Sequence, residues 1–236
     1  MFNVIRITLY KNMQDVYLLF WSIFLPLAAL FGLYYFNLDV ATNTLLGVLS
    51  MSIFFYCCIT NAFSVYSQRK RGVFDLLRIT PFSLWKYLSA ITLSHTVIAC
   101  SVSIVLLLVE SSLFEFNMAV LSIVLFLPLL WVGSAMFTLL GFALSSLPKN
   151  EGQLSMTTNL IMLPLILCSS IFLNIAEAPK FVQWISWINP FEWLQRGYRA
   201  ALETNLSFWA LSMLILIVML IMLLIVARVS FRNNEK

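Results

Sequence analysis

Charge is what this chain has least of. Of its 236 residues only 10% are Asp, Glu, Lys or Arg, against about a quarter in soluble domains. So few charges cannot clothe a water-facing surface, which excludes a disordered tail, a secreted disulfide scaffold and a nucleic-acid-binding domain. Histidine is nearly missing too: with His95 alone, a multi-histidine metal site cannot form within one chain. None of the seven glycines is followed by lysine, so there is no phosphate-binding P-loop, and neither H-E-x-x-H nor G-x-S-x-G occurs. No catalytic constellation and no metal site is therefore expected. Cys57, Cys58, Cys100 and Cys168 all lie inside apolar runs and read as small buried hydrophobes, not as a disulfide framework.

What fills the chain is apolar: 61% hydrophobic residues and a mean hydropathy of +0.95. A membrane-spanning helix needs roughly 20 such residues. Six charge-free runs qualify: Val16–Phe36, about Leu45–Phe63, Tyr87–Val109, Met118–Leu147, Leu154–Leu173 and Phe208–Ala227. The expectation is an all-α integral membrane protein, one domain over residues 1–236, with six transmembrane helices. The fourth run exceeds one crossing, so it tilts, kinks at Pro128 or extends past the bilayer. Pro26 and Pro164 fall inside runs one and five, where neighbouring helices satisfy the freed carbonyls.

Lys and Arg set the orientation. Arg6, Lys11, Arg69, Lys70, Arg71, Arg78, Lys86, Lys149, Arg228, Arg232 and Lys236 fall on one side; only Lys180, Arg196 and Arg199 fall on the other. Both termini are thus expected in the cytoplasm. The first run is too long for a signal-peptide core and no A-x-A cleavage site follows it.

Four segments outside the runs carry further information. In residues 1–15, Phe2, Ile5, Leu9 and Met13 recur at helical spacing, which fits a helix lying on the inner leaflet or a basic flank that only fixes orientation. After the second run, residues 67–81 are too charged to enter the membrane and too apolar for a solvated linker. Val73, Leu76, Leu77 and Thr80 share a helical face that Pro81 ends. This is either a docking element or a loop resting on lipid headgroups. Pro148–Gly152 is a helical hairpin or a second, smaller contact. Residues 174–207 bring Trp184, Trp187 and Trp193 close together, as in an interfacial aromatic belt, with Arg196 and Arg199 following. One or two short helices dipping into the outer leaflet are expected there. Within the runs, His95 reads as a neutral side chain bonded to a neighbouring helix ahead of a proton-relay residue, since the runs contain no acidic partner. Asn61 and Asn159 are expected to bond between helices, and Gly141 with Ser145 to form a small packing surface.

Two of these segments together resemble a known family. Arg69-Lys70-Arg71-Gly72-Val73-Phe74-Asp75-Leu76-Leu77-Arg78-Ile79-Thr80-Pro81 is similar to the charged, Arg-Gly- and Thr-Pro-containing segment after the second helix of ABC-2 type transporter permeases. Pro179, Trp184, Ile188-Asn189-Pro190-Phe191 and Gly197-Tyr198-Arg199 are similar to that family's Asn-Pro segment before the last helix. The resemblance covers essentially the whole chain and implies a type V exporter-like transmembrane domain. In it, residues 1–15 form an interfacial helix, 67–81 a coupling helix, and 174–207 an external re-entrant region.

By the same resemblance, Arg69, Lys70, Arg71, Gly72, Phe74, Asp75, Leu77, Arg78, Thr80 and Pro81, with Lys149 and Glu151, couple to a cytoplasmic ATPase. Phe54, Cys58, Asn61, Thr158, Met162 and Leu165 line the substrate path, and Trp184, Asn189, Pro190 and Arg199 form the external motif. The chain carries no cofactor; ATP and Mg belong to the partner ATPase. A second permease, identical or related, and the lipid membrane are the other partners. Where the family often has an acidic residue ahead of Arg-Gly, this chain has Gln68-Arg69-Lys70, a more basic contact.

The implied function is the permease subunit of an ATP-driven exporter in a bacterial cell membrane. Its cargo would be amphipathic: a drug, an antimicrobial peptide or a lipid. The alternatives are a non-transporting anchor or immunity protein that sequesters a toxin peptide, and an ion-coupled carrier. The last would show ionisable residues within its spans.

Overall fold

The computed structural model describes residues 6–10, 16–36, 42–74, 76, 84–114, 119–171 and 174–233, and among them every regular element is helical. Eight helices are named here: α1 (Val16–Tyr35), α2 (Thr42–Lys70), α3 (Leu84–Leu113), α4 (Val120–Leu144), α5 (Glu151–Leu167), α6 (Lys180–Ile188), α7 (Pro190–Leu202) and α8 (Leu206–Asn233). Residues 6–10 are helical as well, with Ile7 and Tyr10 exposed and Leu9 packed on the core. The rest of the expected 1–15 helix lies outside the described residues. Among the described residues, four helices are long and apolar enough to cross a bilayer: Thr42–Lys70, Trp85–Leu113, Val120–Leu144 and Leu206–Val229. α1 is a 20-residue helix with Pro26 inside it, and α5 has 17 residues.

α4 is the centre of the bundle. It is apolar all round, the pattern of a core helix or a membrane span; it packs against α2, α3, α7 and α8 and leaves Leu121, Val124, Leu127 and Trp131 exposed on an outer face. Its Pro128 sits inside the helix, and the turn before it is braced from α8, where the Trp209 indole donates to the Leu125 carbonyl at 3.0 Å. α2 is interrupted by a π-helical stretch, Phe55–Thr60. That wide turn lies against α4 so closely that a Cβ on Gly141 would overlap the Cys58 carbonyl oxygen. Just below, the Asn61 amide donates to the Thr138 carbonyl at 2.7 Å. Both expectations for this contact hold: Asn61 bonds between helices, and Gly141 with buried Ser145 forms the packing surface. Asn159, in contrast, is exposed on α5.

An aromatic core ties the remaining elements to α4. Phe54 of α2 meets Phe137 of α4 and Phe191 of α7 edge-on, with ring centres 5.0 and 6.1 Å away, and Phe126 stacks flat on Tyr198 at 4.9 Å. Several helices end elsewhere than hydropathy indicates: α2 continues to Lys70 and α8 to Asn233, past their apolar runs, and α5 stops at Leu167 and not at Leu173. α3 runs on past Val109 and so includes Glu110, whose side chain is buried. The absence of acidic groups from the spans therefore does not hold, because the hydropathy boundary stops one residue short of this carboxyl. His95 is buried on the same helix with its ring 5.5 Å from that of Tyr56 on α2.

Candidate functional site

Two regions gather the residues singled out by sequence, one at each end of the bundle. At the first, α2 ends in its two basic residues Arg69 and Lys70, placed where a helix C-terminus favours positive charge. The chain then turns at Gly72, whose φ of 73° lies in the left-handed region that costs other residues a Cβ clash. The turn tucks Phe74 inward, where its ring meets Tyr87 of α3 at 5.5 Å and Phe142 of α4 at 6.3 Å. Arg69 follows it: the guanidinium carbon lies 5.2 Å from the centre of the Phe74 ring and 5.5 Å from that of Phe142. Cation–π contact of this kind stabilises a partly desolvated guanidinium. Gln68 accepts from the Tyr87 hydroxyl, fixing α2 to α3.

Of the face drawn from helical spacing, Val73 is half-buried and Leu76 is exposed, while the buried anchor of this segment is Phe74, tucked in by the Gly72 turn. Arg69 and Phe74 serve the fold, while Lys70, Arg71 and Leu76 face outward. Asp75, Leu77, Arg78, Thr80 and Pro81 lie outside the described residues.

The 148–152 hairpin joins the same surface. Asn150 caps α5 by accepting from the Gln153 N–H at 2.8 Å, and the Gln153 side chain accepts from the Lys149 N–H at 2.9 Å, a reciprocal arrangement close to a capping box. Tyr66 of α2 donates to the Lys149 carbonyl at 3.0 Å, and Lys70 lies 3.5 Å from Glu151. The two segments expected to make separate contacts thus form one platform: Lys70, Arg71, Leu76, Leu147, Lys149 and Glu151, all exposed. The ion pair itself is solvated and contributes under about 1 kcal/mol.

The residues expected to line a path turn inward. Phe54, Cys58 and Asn61 are buried in the core between α2 and α4. Thr158 is buried and its hydroxyl donates back to the Leu154 carbonyl at 2.9 Å; Met162 and Leu165 are half-buried against the core. Regular spacing along α2 selects a face without allowing for the π-helical stretch, and on α5 it selects the inward one. The open face of α5 is the opposite one, with Met156, Asn159, Leu160 and Leu163 exposed. Only Leu154, Thr158 and Ile166 are buried on this helix.

At the other end, Asn189 joins three elements. Its side-chain oxygen accepts from the Phe191 N–H at 3.0 Å, capping α7, with Pro190 at the first helical position where its missing N–H is harmless. Its side-chain nitrogen donates to the Leu165 and Cys168 carbonyls at 2.7 and 3.1 Å, satisfying the C-terminus of α5. Glu192, buried on the next turn, accepts from the Ser170 N–H at 2.7 Å and from Arg196 Nε at 2.9 Å. These bonds stop α5 short of Leu173.

The aromatic-belt expectation divides. Trp184 and Trp187 are exposed on α6, as an interfacial belt requires, but Trp193 is buried and donates to the Trp187 carbonyl at 2.8 Å. Arg196 is held by Glu192 and lies 5.1 Å and 4.8 Å from the centres of the Trp187 and Trp193 rings. Arg199 donates to the Ser170 hydroxyl at 3.3 Å. Between α6, α7 and the start of α2 these residues border a cavity of about 680 Å³.

Both motifs fall within a match to the family described as ABC-2 type transporter, which extends over residues 4–203. The chain belongs to this family. No curated protein matches it in sequence. As an ABC-2 member it is a multi-pass membrane protein and a permease component of an ABC transporter, in a family whose permeases normally work with an ATPase partner.

Four features of this ABC-2 chain escape a reading by motif and hydropathy. The double role of Asn189 was signalled only in half, by the Asn-Pro N-cap pattern. The Glu192–Arg196 pair stands at i, i+4 spacing, a visible signal of helical contact but not of burial. The aromatic slot for Arg69 arises between distant segments and leaves no local signal, and the Gly141–Ser145 pattern signals a packing surface but not its partner, Cys58.

Proposed function

We propose that this chain is the membrane subunit of an ATP-driven exporter and docks a separate ATPase through the Lys70–Glu151 platform. The observation that carries the reading is the union of two segments 80 residues apart into one exposed, charged surface braced by buried anchors. A rigid projection of this sort suits transmission of motion, because Arg69, Phe74 and Gln68 tie it to α3 and α4 and not to the surrounding lipid.

In this reading α1 and α5 complete six crossings, both termini are cytoplasmic, and the platform faces the cytoplasm. Residues 1–236 form one domain, with an interfacial helix at the N-terminus and a short external helix, α6, at the outer leaflet. ATP and Mg act on the partner ATPase. Two permeases face each other across the open side of α5, where Met156, Asn159, Leu160 and Leu163 form the wall of the path. That apolar wall with one amide suits an amphipathic cargo over a free sugar.

A photoreactive residue replacing Leu76 or Leu147, activated in native membranes, tests the docking. Capture of a nucleotide-binding polypeptide from both positions, and not from Val124 on the outer face of α4, is expected. Capture from none of them, or equally from all three, defeats the reading.

A further inference from the structure

The cavity at the α6–α7 end is built unlike the rest of the molecule. In a chain with so few charges it gathers Glu192, Arg196 and Arg199 around one space, with Asn43, Ser170 and Gln183 also on its wall. The carboxylate is already spent: one Glu192 oxygen holds Arg196 and the other holds the Ser170 N–H. Arg196 is further fixed between two indoles. Arg199 has no such partner. Among the described residues no carboxylate lies within ion-pair distance of it, its Nε is buried without a hydrogen bond, and its one bond goes to a hydroxyl. The Gln195 side-chain nitrogen, buried behind the same serine, is likewise without an acceptor. A guanidinium left in this state is stabilised by an anion, and its fork geometry suits a phosphate or carboxylate. Apart from Asn174, the remaining wall is apolar, with Ile171, Ile175, Ala176 and Trp187, and α6 beside it exposes Trp184 and Ile188.

We infer that this cavity receives the anionic headgroup of an amphiphile, with Arg199 as its principal cation and the apolar wall beside α6 taking the start of its tail. The inference rests on the exporter reading only for its placement at the outer leaflet. Binding itself needs no ATPase, so its failure leaves the docking platform untouched, and failed ATPase capture leaves the cavity untouched.

Native mass spectrometry of the purified full chain in detergent tests it, with dihexanoyl phosphatidylglycerol, dihexanoyl phosphatidylcholine and inorganic phosphate as separate probes. Phosphatidylglycerol should bind saturably and about tenfold more tightly than either of the others, and Arg199→Gln should weaken it about tenfold, the effect of losing one charge-assisted contact. Lys180→Gln, an exposed cation on α6, should change nothing. Arg199→Lys should recover part of the affinity. If Arg199→Gln fails to fold, Asn43→Trp, which fills the opposite wall, should abolish binding instead. Equal binding of the two lipids, phosphate binding as tightly as phosphatidylglycerol, or an unchanged affinity in both variants overturns the inference.

Discussion

The side-chain nitrogen of Asn189 lies 2.7 Å from the carbonyl oxygen of Leu165, while the oxygen of the same amide caps the following helix. One residue thereby ends α5 and starts α7. The Asn-Pro pair at this point is therefore a joint, and what it joins is the exposed helix proposed as the path wall to the most buried short helix of the bundle.

Asn189→Ala removes an N-cap and both carbonyl contacts at once. Loss of the cap costs about 1 kcal/mol and leaves two buried carbonyls short of a donor, for a total of roughly 2–3 kcal/mol. A clear fall in the thermal midpoint of the detergent-solubilised protein is expected. Pro190→Ala, which changes no hydrogen bond, should shift the midpoint far less.

Gly141→Ala places a methyl group on the Cys58 carbonyl oxygen, so one helix backbone must move. Overpacking of this kind typically costs about 1–3 kcal/mol. Gly32→Ala is the matched comparison, because nothing lies within 4 Å of a Cβ there and the residue is inside α1. It should leave stability unchanged or raise it by up to about 1 kcal/mol. Monodispersity on size exclusion and the thermal midpoint read both.

Glu192→Gln leaves the Arg196 guanidinium, whose side chain is 15% exposed, without its charge partner. Breaking such a pair from one side costs roughly 3 kcal/mol, more than replacing both members with apolar residues. A double-mutant cycle with Arg196→Leu should therefore show Glu192→Leu/Arg196→Leu to be more stable than Glu192→Gln alone. The opposite order would mean that the pair is solvated and not integral to the α7 end.

Much of this was legible along the chain, and the division has a physical basis. Hydropathy finds helices because burial in lipid demands continuous apolar runs, and it placed the start of each long helix within a few residues. It misplaced the ends of α2, α3, α5 and α8: α2, α3 and α8 continue through charged residues that a charge-free run excludes, and the end of α5 is held by bonds from Asn189 and Glu192. The described part of the motif at 69–81 lies at one end of the bundle, but spacing could not tell the outward Lys70 and Arg71 from the inward Arg69 and Phe74. That distinction depends on the Gly72 turn and on Phe142, some seventy residues further on. The residues drawn for a path fall on covered or half-covered faces for a related reason: burial by other helices is a tertiary fact, and a helical wheel does not say which face the rest of the chain covers.

The platform leads to the most direct test. Arg69→Ala should lower stability by emptying the slot between Phe74 and Phe142, whereas the exposed Lys70→Glu/Arg71→Glu variant should leave the thermal midpoint within experimental error. The tagged chain is purified from its native membrane in mild detergent, and ATPase activity is measured on the eluate. The account predicts that an ATPase accompanies the unaltered protein and is lost from the folded Lys70→Glu/Arg71→Glu variant. An ATPase retained by that variant, or none recovered with the intact protein even after crosslinking, would contradict it.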